Sequence, residues 1–209
     1  NPSKKIYPSA WRIMKIRGKY YYKDSKNKIL IKSNYIKSSG LFDNLGLSIK
    51  IALDFGIKSK IIEKTIPKIS YQGRLQHLNK GKLRKHLNKK DILLLDGAHS
   101  STSAQNLYNY LKTMKRPIYG IWAMQKNKEP SKFLKNFKGI FKKIITMKID
   151  GEPNACSAEK LKQIVVKNGY SSDKAKNIHD ALKKLKSKQL KTICIFGSLY
   201  HVGNVLIKN

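Results

Sequence analysis

The sequence is poor in acidic residues, in cysteine and in long apolar runs. Its 209 residues contain 12 Asp and Glu against 45 Lys and Arg, and only two cysteines. No run reaches the roughly 18 apolar residues that a membrane helix needs, and the polar first residues lead into no signal segment. Cys156 and Cys194 stand far apart without a CxxC or His-rich neighbourhood. We therefore expect no metal site and two reduced thiols in a cytoplasmic protein, with one disulfide as the alternative.

Phosphate-binding signatures are missing as well, since the chain contains neither GxGxxG nor GxxxxGK[ST]. The first residue is not methionine. We therefore interpret the chain as part of a longer protein whose upstream section is absent. Its length suffices for one medium domain or two small ones.

The net charge of +33 is compatible with nucleic-acid binding, because a basic surface supplies the sequence-independent part of that affinity. Two features disfavour this interpretation. Only five of the basic residues are Arg, the side chain suited to bidentate phosphate and base contacts, and the lysines are spread along the whole chain. Lys, Asn and Ile are abundant together, as A/T-rich codons would produce. We favour compositional drift and expect neither a specific nucleic-acid partner nor a membrane partner.

The first 70 residues predict a small sheet followed by helices. Residues 10–33 alternate apolar and polar side chains around two turn signals, which is typical of an antiparallel meander. The stretch "GLFDNLGLSIKIALDFGI" predicts a helix that Asp43 or Asn44 caps and Gly56 ends. A second helix is predicted at about residues 58–66, before Pro67.

After Gly73 the pattern becomes that of an α/β fold. Four apolar runs alternate with four amphipathic stretches. The predicted strands are 92–96, 117–124, 143–149 and 192–198, and the predicted helices are about 102–114, 131–138, 157–168 and 174–187. Such strands are buried on both faces, which predicts a Rossmann-like, mostly parallel sheet. We expect one domain over residues 1–72 and a second over 73–209.

Ligands of parallel α/β sheets bind outside the carboxyl ends of the strands. This rule selects residues 96–99, 125–128, 150–154 and 197–198. Asp96 would accept hydrogen bonds from a sugar, and His99 could bond an anionic group. The alternative is that Asp96 caps the next helix and His99 is a partly exposed turn residue.

Two further residues are candidates for ligand binding. Arg74, in "SYQGRLQ" near the expected domain boundary, could reach a nucleotide phosphate with its planar guanidinium. Its alternative is a hinge residue that pairs with a local carboxylate. Ser198 follows a strand in "FGSLY" and could bond a substrate carboxylate.

The order of several motifs carries a family resemblance. "GRLQ", "LLLDGAHSSTSAQNL", "IDGEPNACSAEKL" and "FGSLYHVGNVL" together resemble the C-terminal part of the folylpolyglutamate synthase/dihydrofolate synthase family. That family belongs to the Mur ligase superfamily of ATP-dependent amide-bond-forming enzymes. The resemblance covers residues 73–209 and implies a Mur ligase C-terminal domain, preceded by the tail of a central ATPase domain.

The resemblance also implies roles for particular residues. Arg74 and Asp96 match ATP contacts of the family, and Asn44 matches a third when a gap is allowed, because "GLFDNLG" departs from the family's G-x-H-Q-x-x-N pattern. His99 and Ser198 match positions on the glutamate side. Ser100 stands where the family usually has Asn. No catalytic residue is assigned.

The reaction implied is the ATP-dependent addition of L-glutamate to dihydropteroate, to folate polyglutamates or to both, through an acyl phosphate, in folate biosynthesis. The Mg²⁺ ligands and the phosphate-binding loop are expected upstream of these residues, so the chain alone should be inactive, and the protein is expected to be a monomer. The alternatives are a muropeptide ligase of the Mur type, a basic nucleic-acid-binding domain and a plain structural domain.

Overall fold

The computed structural model describes residues 10–33 and 35–209. The chain divides into two compact units, Asn1–Ser70 and Tyr71–Asn209. Each unit has its own core of buried apolar side chains.

The sheet of the first unit is a three-stranded antiparallel meander, as the alternating pattern predicts. Its strands, in spatial and sequence order, are β1 (Arg12–Ile16), β2 (Lys19–Lys23) and β3 (Lys28–Ile31). The β1–β2 turn places Arg17 and Gly18 at positive φ. In the β2–β3 turn, the carboxylate of Asp24 accepts the backbone N–H groups of Lys26 and Asn27. Both turn signals of the sequence are therefore confirmed.

Two helices follow the meander, α1 (Ser39–Asp54) and α2 (Ser59–Thr65). The prediction that Asp43 or Asn44 caps the first helix is wrong. The cap is Ser38, whose hydroxyl accepts the Leu41 N–H at 3.3 Å, and Asp43 and Asn44 lie exposed inside the helix. Since Ser38 already satisfies an N–H of the first turn, the helix starts earlier than the apolar periodicity indicates. Gly56 ends it at positive φ, as predicted.

The second unit is built on a six-stranded sheet of order β4-β5-β9-β6-β7-β8, in which only the β4–β5 pair is antiparallel. This confirms the mostly parallel α/β fold. The strands are β4 (Gln76–His77), β5 (Ile92–Asp96), β6 (Ile118–Trp122), β7 (Phe141–Thr146), β8 (Ser171–Lys174) and β9 (Thr192–Phe196). The helices are α3 (Ser101–Leu111), α4 (Pro130–Lys135), α5 (Ala158–Lys167), α6 (Ile178–Lys184) and α7 (Leu199–Ile207).

Two predicted boundaries in this unit are wrong. The strand placed at residues 143–149 is β7 and starts at Phe141. The helix placed at 174–187 is the shorter α6, which begins after its cap Asn177, and Lys174 belongs to the edge strand β8. The polar "SSDK" of that strand carries no apolar alternation, so its only signal is the pairing with β7, supported by a bond from Ser172 Oγ to the Ile144 carbonyl.

The sheet is covered on both faces. On one face, apolar side chains of β5 and β9 pack against α6 and α7, with Leu182, Val202 and Val205 buried in a common cluster. Another cluster is aromatic, where Trp122 and Phe133 stack with Phe196 of β9. Strand β9 returns between β5 and β6, so the winding direction reverses beside it. The carboxyl ends of β5, β9 and β6 therefore form a topological switch point.

Candidate functional site at the carboxyl edge of the sheet

The residues selected at the strand ends share one edge of the sheet. Asp96 is opposite Phe196, and Phe196 is opposite Trp122, all in parallel register. Residues 97–100 and 197–198 therefore leave neighbouring strands in the same direction, and the loops after β6 and β7 continue the row. The prediction that these four loops line one rim is confirmed.

The carboxylate of Asp96 fastens two loops of this rim together. It is 7% exposed. Its Oδ2 accepts the Leu75 N–H at 2.9 Å, and its Oδ1 accepts the Ala98 N–H at 2.8 Å. Asp96 is not the helix cap, because α3 is capped by Ser100 through a reciprocal bond with Ser103. The helix-cap alternative is therefore wrong, and Asp96 instead joins the segment before β4 to the end of β5.

Unusual backbone conformations bring that segment to Asp96. Gly73 and Leu75 both have positive φ, at 70° and 45°, and the Gly73 carbonyl accepts the Gly97 N–H at 2.7 Å. The Gln76 side chain adds a bond to the Gly73 N–H at 2.8 Å. A positive φ is rare for a leucine. The bond from Leu75 to Asp96 and the bond between Gly73 and Gly97 hold the turn in this conformation.

Arg74 lies on this strained turn and is partly buried. A Cβ added at Gly97 would collide with Leu199 and would lie 3.2 Å from Arg74 Nη1. Gly97 is thus required by close approach, since the first turn of α7 and the Arg74 guanidinium both lie against it. The structure brings together Arg74 and Asp96, the two residues expected to contact ATP, beside Gly97.

Charges around Asp96 act on its pKa in opposite directions. Burial raises the pKa of this carboxyl above its usual range. The Leu75 and Ala98 N–H groups and the positive charges of Arg74 and His99 act against that shift. Cys194 of β9 feels the same carboxylate, because burial and the Asp96 charge both raise the pKa of its thiol. Both cysteines are free and buried. Cys194 is therefore held as an unreactive thiol.

His99 and Ser198 stand at the starts of the two helices that leave this rim. His99 Nδ1 is 2.8 Å from the Gly97 carbonyl, so Nδ1 carries the proton and Nε2 is the acceptor when the ring is neutral. Ser198 caps α7 by accepting the Tyr200 N–H at 3.2 Å and is 2% exposed. The two residues follow neighbouring strands, so the structure brings them to the same edge.

Asn44 lies in α1 of the first unit. It is exposed, and its carbonyl accepts the Ser48 hydroxyl at 2.9 Å. Its assignment to a nucleotide stays a prediction.

Some features of the rim could not be predicted from the sequence. Gly197 has a φ of 109°, and a Cβ there would meet Trp122 and the Ala123 carbonyl. Nothing in the pattern marked Trp122 as a rim residue, because it ends an ordinary apolar run. The N–H of Leu75 is likewise a backbone partner that any residue type would supply.

Across residues 10–33 and 35–209, no group of three or more His, Cys, Asp and Glu side chains is placed to hold a metal ion. No helix among these residues is long and apolar enough to cross a bilayer.

The Rossmann-like sheet places an acidic residue, an arginine and two helix starts at its switch point, which defines an α/β domain with a polar rim. Residues 79–208 match the family model described as dihydrofolate synthetase, C-terminal domain. The chain belongs to this family.

Individual relatives agree with the family assignment. The dihydrofolate synthetase of Saccharomyces cerevisiae is 24% identical over 157 residues, which cover 69% of this chain and 36% of the yeast protein. Folylpolyglutamate synthase of Mycobacterium tuberculosis, solved with ADP and AMPPCP, shares the fold with a TM-score of 0.76 at 16% identity, over 94% of this chain and 46% of that one. Escherichia coli FolC, solved with DHPP and ADP, gives 0.73 at 15% identity, over 94% and 45%. The chain thus spans less than half the length of these relatives.

Proposed function

We propose that this chain is the C-terminal part of an ATP-dependent ligase that adds L-glutamate to dihydropteroate, to folate polyglutamates or to both. The support is the family membership together with one geometric observation. Arg74 and Asp96 meet at the carboxyl edge of the sheet, the edge at which parallel α/β sheets generally bind ligands. The substrate carboxylate would be activated by ATP as an acyl phosphate, which the amine of glutamate then attacks to form the amide and release phosphate.

Arg74 is proposed to bind phosphate oxygens of the nucleotide. Its guanidinium is the part of the rim best suited to this, because a planar pair of N–H donors matches two phosphate oxygens at once. The position against Gly97 limits its freedom before a ligand arrives. Such preorganisation lowers the entropy lost on binding.

Asp96 is proposed to have a double role. Each carboxylate oxygen has already accepted one backbone N–H, and a second lone pair on each remains for a ligand hydroxyl. The same bonds fix the Arg74 turn. Asp96 would therefore position Arg74 as well as contact the nucleotide.

His99 and Ser198 are proposed to act on the glutamate side of the rim. The starts of α3 and α7 carry the positive ends of two helix dipoles, which favour anionic groups such as a carboxylate or a phosphate. We also propose that residues 1–72 complete a central ATPase domain, with residues 73–209 as the ligase domain. The Mg²⁺ ligands would lie outside this chain. We place the protein in the cytoplasm, which two free, buried cysteines support. We also propose that it is a monomer.

The test is nucleotide binding by the complete gene product with Arg74→Ala. Loss of a charge-assisted bidentate contact should weaken ADP binding by about tenfold or more. The matched control is Lys167→Ala, which removes a positive charge from an exposed position at the carboxyl end of α5, in the same unit as the rim. That variant should bind ADP within about twofold of the wild type, since an exposed charge outside the rim is screened.

Equal ADP affinity of Arg74→Ala and the control would contradict the proposed role of the rim. The alternative enzyme is a muropeptide ligase of the Mur type. It would be favoured if the protein binds nucleotide and pterin substrates do not stimulate ATP turnover.

A further inference from the structure

A cavity lies at the opposite end of the sheet from the rim. It occupies about 460 Å³ beside the amino ends of β5 and β9, which is within the range of small-molecule sites. Its lining comes from two segments, 85–91 and 186–191. Ligands of the rim would be bound by residues that follow the strands, and this cavity is lined by residues that precede them.

The two walls of the cavity are tied to each other. Asn88 Nδ2 donates to the Ser187 carbonyl at 3.0 Å, across the opening. Arg84 donates to the carbonyls of Lys89 and Asp91, at 2.9 Å each, which holds the first wall in a fixed turn. The cavity is therefore a formed feature of the fold and not a gap between two loose loops.

The floor of the cavity is a buried ion pair. Lys191 Nζ lies 3.6 Å from Asp91 Oδ2, and both side chains are almost fully buried. Asp91 also accepts the backbone N–H groups of Lys191 and Asn88, at 3.0 and 3.1 Å. Each oxygen of the single carboxylate in the lining is thus engaged with donors of the floor itself, which weakens its repulsion of an anion.

Positive charge converges on the opening above this floor. Lys85, Lys186 and Lys188 are exposed, and among the described residues their ammonium groups form no ion pair. His86 lines the same cavity, with Nε2 3.0 Å from His179 Nδ1. The pKa of His86 is lowered, by burial first and then by the nearby charges of His179, Lys183 and Lys186.

We infer that this cavity is a second ligand site, which binds a small polyanion of the diphosphate class. Compositional drift accounts for lysines scattered over a surface. It does not account for three unpaired ammonium groups around a braced cavity with a neutralised floor. The inference is independent of the proposed ligase activity, because it uses none of the rim residues.

The test is a titration of the 209-residue chain with pyrophosphate, in which NMR resonances of the five histidine side chains are monitored at each addition. We expect saturable binding that shifts the His86 and His179 resonances and leaves those of His99 unchanged. Binding at the rim would shift His99 instead. The variant Lys186→Ser/Lys188→Ser should weaken binding roughly tenfold, since each partly exposed ion pair contributes a few-fold. Both positions are exposed, so the fold should be preserved.

The control is Lys135→Ser/Lys167→Ser, which removes the same charge from exposed positions of α4 and α5. It should change pyrophosphate affinity by less than about twofold. Equal weakening in both double variants would show that only the overall charge attracts the anion. That result, or a response of His99 without one of His86, would overturn the inference.

Discussion

Replacement of Asp96 by alanine should destabilise the folded protein whether or not Asp96 contacts a ligand. The substitution removes the acceptor of two buried N–H groups, those of Leu75 and Ala98. It also releases the positive-φ turn that carries Arg74. Loss of activity in this variant is therefore no evidence of nucleotide contact by itself.

The size of this destabilisation follows from the two backbone N–H groups that lose their acceptor. A buried donor left without an acceptor costs about 1–3 kcal/mol, so two cost about 4 kcal/mol together. Removing a carboxylate whose pKa is raised by burial returns part of this cost. We expect a net loss of about 3 kcal/mol in the free energy of unfolding, which is a large share of the 5–15 kcal/mol typical of a domain. Asp96→Asn keeps one acceptor and should lose about half as much.

The assay is urea unfolding monitored by circular dichroism at pH 7.5. Because the folded-state pKa of Asp96 is raised, stability linked to its protonation is greatest below the unfolded pKa and is lost as pH rises through the folded one. This contribution is smaller at pH 7.5 than at acidic pH, so the hydrogen-bonding effect is measured there with less gain from protonation. Asp43→Ala, an exposed charge loss in α1, should stay within about 0.5 kcal/mol of the wild type. An equally small loss for Asp96→Ala would refute the fastening role.

Three further substitutions test other parts of the structure. His201 is buried with its pKa lowered to about 4, so the unfolded state binds more protons as pH falls from the ordinary pKa of about 6.5. The wild type should therefore lose about 3 kcal/mol between pH 7 and pH 4 that His201→Leu retains, measured as urea midpoints. Gly97→Ala should cost about 1–3 kcal/mol through its collision with α7. Asp91→Ala should cost about 3–5 kcal/mol in the same assay, because it leaves Lys191 buried without its partner.

Gly97→Ala and Asp91→Ala each have a control within the chain. The control for Gly97→Ala is Gly203→Ala, inside α7, where the added methyl has no atom within 4 Å. This variant should be neutral or stabilising by up to about 1 kcal/mol. Glu159→Ala breaks an exposed pair with Lys174 and should leave the urea midpoint nearly unchanged. Parallel pH profiles of the wild type and His201→Leu would contradict the buried neutral histidine. Losses for Gly97→Ala and Asp91→Ala no larger than their controls would contradict the packing and the ion pair.

The parallel sheet could be predicted from sequence because its strands are buried on both faces. The run "ILLLD" and the run "TICIF" are continuous in apolar residues, and both form strands within their predicted ranges. Strand β8 could not be predicted, because "SSDK" is held by one neighbour only, and edge pairing leaves no apolar pattern. The start of α1 was missed for a related reason, since the cap Ser38 precedes the periodic residues.

The site was predictable in its residue types and not in its geometry. A carboxylate at the end of a buried strand and an arginine beside glycine are visible in the letters of the sequence. The bond from the Leu75 N–H to Asp96 is not, since it depends on a leucine at positive φ that only the folded loop imposes. The cavity around Lys191 could not be predicted either, because a lysine in a lysine-rich chain gives no sign that it is buried.

The most direct test of the central claim is phosphate release by the complete gene product. The substrates are ATP, L-glutamate and either dihydropteroate or tetrahydrofolate, with wild type and Arg74→Ala compared after both are shown to fold. We predict release that requires all three substrates and falls at least tenfold in Arg74→Ala. Absence of release with either pterin substrate, or full activity of Arg74→Ala, would contradict the account.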